Sequence, residues 1–136
     1  MKKILLSGLM GGLALLILSI SGLYILLWLL PDMAMEYFGP AFISTPNRNI
    51  LYYIHPFIIS TGLSWLWHQT GNVFKGRPII ASLKFGIAYM SIATLPYMLL
   101  VYSAINISLP VMCTWLAFGF IEAVVAATIF NTLNRL

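Results

Sequence analysis

Charged side chains are scarce in this sequence. Asp, Glu, Lys and Arg make up 7% of the 136 residues, whereas a globular domain in water carries about 25%. This scarcity excludes a soluble domain of ordinary composition. The 7 basic residues stand at the ends of apolar runs and form no basic stripe, so the net charge of +4 does not indicate binding to nucleic acid.

Cysteine is nearly absent, because Cys113 is the only one. A single cysteine cannot form an intramolecular disulfide, and it leaves a metal site without thiol partners. The two histidines, His55 and His68, fall near opposite ends of one apolar run and cannot share a metal ion. The sequence contains no P-loop and no GxGxxG pattern. We therefore predict neither a metal site nor a cofactor.

Apolar residues fill four long runs, and 61% of the chain is hydrophobic. About 20 apolar residues in a helix cross a hydrocarbon core of roughly 30 Å. We therefore predict an all-α integral membrane protein in which residues 1–136 form one domain, an antiparallel bundle of four transmembrane helices. The predicted helices cover about residues 4–30, 50–68, 79–103 and 110–131, and an outer loop covers 31–49.

Proline and serine mark the predicted helix ends. Pro31 ends the first helix, since proline disfavours the helical conformation in the residue before it. Pro78 and Pro110 suit a first helical turn, where the missing N–H is not needed. Ser108 is placed to cap the fourth helix. Pro96 lies inside the third helix and frees the carbonyl of the residue four positions earlier.

The basic residues predict the orientation, because cytoplasmic loops are enriched in Lys and Arg. With four spans, Arg48 falls on one side, beside two acidic residues, and the other six basic residues fall on the opposite side. Those six are Lys2, Lys3, Lys75, Arg77, Lys84 and Arg135. We predict that both termini are cytoplasmic. This basic, short-looped plan is typical of a bacterial inner membrane protein.

Glu122 stands near the middle of the apolar run VMCTWLAFGFIEAVVAATIF, residues 111–130. A charge at that depth costs a few kcal/mol or more, so such residues usually face the bundle interior. No Lys or Arg falls at the same depth, and we expect Glu122 to be protonated at pH 7 unless water or a cation reaches it. It would then bond to a hydroxyl on another helix. By depth, the candidates are Ser60, Thr61, Tyr89, Ser91 and Thr94.

A second group of polar residues falls at the outer end of the predicted bundle. Asp32 and Glu36 are four residues apart in the loop, and His55 lies near the outer end of the second helix. We treat these three residues as an outer-face polar cluster. A cleft that joined them would favour an enzyme, whereas separate side chains would be ordinary interfacial residues.

Small residues recur every four positions in two of the helices. The first helix has Gly8 and Gly12, and the fourth has Gly119, Ala123 and Ala127. Such spacing lets helix backbones approach closely in lipid. We predict that these residues pack helices together, within the chain or between chains.

Three functions remain open from the sequence. The first is a non-enzymatic membrane protein that packs with itself or with a partner, in which Glu122 joins helices. The second is an oligomeric, proton-coupled transporter or channel for a small molecule that uses Glu122. The third, an enzyme, has little support. The partners we expect are the lipid bilayer and either a second copy of the chain or another membrane protein.

Overall fold

A computed structural model describes residues 2–37, 39, 46–74 and 76–133 of the chain. Every regular element in these residues is a helix, which confirms the predicted all-α class. In chain order the elements are α1 (Lys2–Leu29), α2 (Pro31–Glu36), α3 (Pro46–Thr70), α4 (Pro78–Tyr89), a π-helical segment (Met90–Thr94), α5 (Leu95–Ala104) and α6 (Leu109–Leu133). Residues 40–45 of the predicted outer loop, Lys75 and Arg135 lie outside the described residues.

Three helical stretches are long and apolar enough to cross a membrane: Lys2–Leu29, Pro78–Ala104 and Leu109–Leu133. The helix α3 has the same length as α6, 25 residues, but its sequence is more polar. Large apolar side chains on these helices face outward, and Trp28 and Ile92 are 82% and 79% exposed. This composition and this surface are those of an integral membrane protein.

The helix starts follow from the local sequence. Pro31 and Pro78 each stand in the first turn of a helix, where a missing N–H leaves no bond unmade. The Ser108 hydroxyl accepts a hydrogen bond from the Val111 N–H at 3.4 Å, so Ser108 caps α6. The helix α2 occupies part of the segment predicted as the outer loop, and α3 begins four residues earlier than predicted, at Pro46.

The π-helical segment Met90–Thr94 lies directly before Pro96. Pro96 has no N–H for the carbonyl of Ile92, so the regular helical ladder is interrupted at this point. The Leu95 N–H instead bonds to the Met90 carbonyl, five residues earlier. The helix is therefore locally wider, and single π turns of this kind occur frequently at functional sites.

The helix α6 is the centre of the packing, because it contacts α1, α3, α4, α5 and the π-helical segment. The helix α1 packs most extensively against α3. The buried core joins α1, α3, α4 and α6 through Leu15, Leu63, Trp67, Ala81, Phe85, Ala123, Ala126, Ala127 and Phe130. Since α6 is central, a polar residue in the middle of α6 is surrounded by protein rather than by lipid.

Candidate functional site

A cavity of about 1030 Å³ lies among the helices. Its wall comes from α1, α3, α4, α5, the π-helical segment and α6, and Tyr37 lines it just after α2. The lining is mainly apolar, and its described residues carry eight hydroxyl groups and one carboxyl group. Cavities of this size and character hold small molecules.

Glu122 lines this cavity from the middle of α6, and only 7% of its surface is exposed. The Ser19 hydroxyl of α1 donates a hydrogen bond to Glu122 Oε1 at 3.2 Å. Among the described residues, Glu122 Oε2 makes no hydrogen bond. One oxygen of the carboxyl group is thus positioned by a neighbouring helix, and the other is available to a proton or a ligand.

Among the described residues that line the cavity, Glu122 is the only Asp, Glu, Lys or Arg. The one basic side chain in the described lining is that of His55, and no Lys or Arg there opposes the charge of Glu122, so the carboxylate form depends on water or on a cation from outside the protein. The site therefore favours either a bound proton or a bound cation.

Aromatic and hydroxyl groups complete the wall around the carboxyl group. Tyr52 of α3 and Tyr89 of α4 line the cavity and lie within electrostatic range of Glu122. Thr94, in the π-helical segment, also lines the cavity, and Tyr89 is its neighbour. The Thr94 Oγ1 is nevertheless buried without a hydrogen bond of good geometry.

The cavity extends from Glu122 to the junction of α1 and α2. There the Trp115 Nε1–H donates a hydrogen bond to the Tyr37 hydroxyl, and the two rings meet edge to face with centroids 5.9 Å apart. The Ser108 N–H donates to Glu36 Oε1 at 2.6 Å. These two contacts attach the end of α2 to the start of α6 and close this side of the wall.

The hydrogen bonds from Ser108 lower the pKa of Glu36 from its ordinary value. The physical cause is that a carboxylate accepts these bonds better than a protonated carboxyl group does. The carboxylate also lies at the N-terminus of α6, where the helix dipole favours negative charge. Glu36 is therefore an ionised anchor for the first turn of α6.

Most of the hydroxyl groups that we expected to bond to Glu122 do not face it. Ser60 is fully buried without a hydrogen bond, and Thr61 donates to the Phe57 carbonyl of its own helix at 2.7 Å. Ser91 is exposed. Of the five candidates, Tyr89 and Thr94 line the cavity with Glu122. The observed partner, Ser19, was missed, although Ser19 and Glu122 both stand near the middle of their helices and this shared depth could have indicated it.

The residues of the outer-face polar cluster do not meet in one cleft. His55 lines the cavity, whereas Asp32 and Glu36 do not. Asp32 is exposed, and Glu36 bonds to Ser108. The arrangement that would favour an enzyme is not found among the described residues.

The small residues lie where helices come close together. A Cβ atom at Gly8 would come within 3.0 Å of the Thr61 backbone, and one at Gly119 would come within 2.8 Å of the Thr94 side chain. Gly119 thus brings α6 against the π-helical segment beside the cavity. Ala123 and Ala127 are completely buried in the core.

Comparisons with protein-family models, with curated proteins and with solved structures find no match to this chain. The functional argument therefore depends on the site itself.

Proposed function

We propose that this protein is a proton-coupled transporter of a small molecule, and that Glu122 is the group that exchanges the proton. The observation that carries the proposal is the position of Glu122: among the described residues it is the only Asp, Glu, Lys or Arg that lines a cavity of about 1030 Å³ inside a bundle of apolar helices. Intramembrane carboxyl groups that face a cavity are typical of proton and ion pathways.

The topology that we propose has four spans, with α3 as the second and both termini in the cytoplasm of a bacterial cell. The 25 residues of α3 are long enough to cross a membrane. Its close packing along α1 supports a place inside an antiparallel bundle. Six of the seven basic residues then fall on the cytoplasmic side, in agreement with the positive-inside rule. The cavity would lie in the outer half of the membrane.

The geometry of the carboxyl group suggests how Glu122 would exchange a proton when a solute binds. Ser19 donates to Oε1, and this bond can persist whether Glu122 is protonated or ionised. Oε2 would therefore carry the proton. When a solute binds, the Oε2–H bond breaks, the proton passes to water in the cavity, and the solute faces a carboxylate. Release of the solute lets a proton return, so that proton and solute move in opposite directions.

The experiment follows proton currents across the membrane of proteoliposomes that enclose a pH-sensitive dye, because exchange of one proton for one monovalent cation moves no net charge and electrical recording would miss it. Concentration jumps of neutral, cationic and anionic amphipathic small molecules would be applied to the wild type and to Glu122→Gln. Asp32→Asn is the matched control, because it removes an exposed carboxyl group that does not line the cavity. We expect solute-dependent currents that change with the pH gradient in the wild type and in Asp32→Asn.

Glu122→Gln should give no pH-dependent current while remaining folded, as judged by its circular dichroism. Currents that are equal in Glu122→Gln and the wild type would contradict the role of Glu122. The absence of a current with every class of solute would contradict transport.

A scaffold is the second candidate, and the Ser19 bond favours it. The hydrogen bond from Ser19 to Glu122 joins α1 to α6, and such bonds hold helices together in membranes. In this case the protein would pack with a second copy or with another membrane protein, and the glutamate would stay protonated. Ser19→Ala would then lower stability without affecting any current.

A further inference from the structure

We infer that the solute held at Glu122 is an organic cation, an ammonium-type group attached to an apolar body. This inference rests on the proposed function and specifies its substrate class. It depends on the charge of the cavity, on the aromatic rings in its wall, and on the shortage of other carboxylate ligands.

The charge of the cavity lining favours a cationic ligand. Among the described residues, the lining contains one acidic residue, Glu122, and no Lys or Arg, and its one basic side chain is that of His55. An anionic ligand would meet the carboxylate as a like charge, and a neutral ligand would leave that carboxylate without a counter-ion in a poorly hydrated site. A cation neutralises it. The unbonded Oε2 is the atom that such a cation would contact.

The aromatic rings in the lining also favour a cationic ligand. Tyr52 and Tyr89 lie within electrostatic range of Glu122, and Tyr97, Trp115 and Phe118 also line the cavity. The faces of aromatic rings attract weakly hydrated cations such as alkylammonium groups. The carboxylate and these aromatic rings lie in the wall of one cavity, so a cation inside it can interact with both.

The scarcity of carboxylate ligands distinguishes an organic cation from a metal ion. Calcium takes about six to eight oxygen ligands, and magnesium requires near-octahedral oxygen coordination. Glu122 supplies the one carboxylate of the described lining, and the side-chain oxygen atoms near it belong to hydroxyl groups, unlike the carboxylates and carbonyls that hold these ions. An apolar volume of about 1030 Å³ is also far larger than a metal ion needs, and it matches the size of pockets for drug-sized ligands.

An ammonium group attached to an apolar body has two sources: a free amphipathic amine and the ethanolamine headgroup of a lipid. The probe that we would use is tetraphenylphosphonium, and tetraphenylborate is its control because it has the same shape and the opposite charge. Binding would be measured by equilibrium dialysis of the full chain in an uncharged maltoside detergent. A second series would add short-chain phosphatidylethanolamine as a competitor.

We expect saturable binding of tetraphenylphosphonium to the wild type and to Asp32→Asn, about tenfold weaker binding to Glu122→Gln, and no saturable binding of tetraphenylborate. Tyr89→Phe should retain the affinity, since it keeps the ring, and Tyr89→Leu should lose about threefold. These Tyr89 variants keep Glu122 and so test the site if Glu122→Gln fails to fold. If the lipid competes with tetraphenylphosphonium, the inference is supported and the natural cation is a lipid headgroup. If the lipid does not compete, the inference is supported and the natural cation is a free amine.

Saturable binding of tetraphenylborate, or full affinity in Glu122→Gln, would overturn the inference. The two proposals fail separately. If a neutral solute gives pH-dependent currents and tetraphenylphosphonium does not bind, the substrate class is wrong and proton-coupled transport stands. If tetraphenylphosphonium binds at Glu122 and no solute gives a current, the site stands and transport is wrong.

Discussion

Replacing Gly12 by alanine should separate α1 from α3, and Gly62→Ala is a matched control. An added Cβ atom at Gly12 would lie 2.5 Å from Phe57 Cδ1 and 3.0 Å from Phe57 Cα. The ring could rotate away, but the Cα atom is part of the α3 backbone, so the two helices would have to move apart. At Gly62, in α3 itself, no atom lies within 4 Å of the added Cβ.

The difference between these two variants isolates the packing effect. Both gain up to about 1 kcal/mol from the higher helix propensity of alanine, and this gain cancels in the comparison. Overpacking costs about 1–3 kcal/mol, so Gly12→Ala should be about 1–3 kcal/mol less stable than Gly62→Ala. Unfolding in mixed micelles with increasing dodecyl sulfate, followed by circular dichroism, gives both free energies. Equal stabilities would refute the close contact between α1 and α3.

Three further substitutions test other contacts. Ser64→Ala removes the 2.6 Å hydrogen bond between Ser64 and Ser7 that joins α3 to α1. The free energy of unfolding should therefore fall by about 0.6–1.7 kcal/mol in the same micelle assay. An unchanged free energy would contradict this bond. Glu36→Gln should lower the melting temperature at pH 7. Because the pKa of Glu36 is lowered in the folded protein, its contribution is present above the unfolded pKa of about 4.3 and disappears as the pH falls through the folded value. A difference in melting temperature that does not shrink as the pH is lowered below about 4.3 would contradict the bond to Ser108. Ser19→Ala removes the donor to Oε1 of Glu122 and should raise the infrared carbonyl frequency of protonated Glu122, whereas an unchanged band would mean that the bond is absent in lipid.

The all-α class and the membrane character were predictable because they depend on composition and on the length of apolar runs. Twenty apolar residues around Glu122 require a helix in lipid, since only a helix satisfies the backbone within one segment. The start of α6 was also readable, because Ser108 and Pro110 are local signals. These features need no knowledge of how the helices are arranged.

The partner of Glu122 and the cavity were not predictable in the same way. Depth along a helix gives the height of a residue in the membrane, but not the direction in which its side chain points. Ser60 and Thr61 have a suitable depth, yet Ser60 is buried elsewhere and Thr61 bonds to its own helix. The π-helical turn before Pro96 also depends on the balance between neighbouring helices, because a proline alone is compatible with a kink.

The central claim is that Glu122 exchanges a proton in a cavity that a solute can reach. Infrared spectroscopy of the protein in lipid tests this most directly, with Glu122→Gln to assign the carboxyl band. We predict that the band of protonated Glu122 loses intensity when tetraphenylphosphonium is added at constant pH, as the carboxylate forms, and that it recovers when the cation is removed. A band that stays unchanged at every pH and with every solute would contradict the claim and would leave Glu122 as a group that only joins α1 to α6.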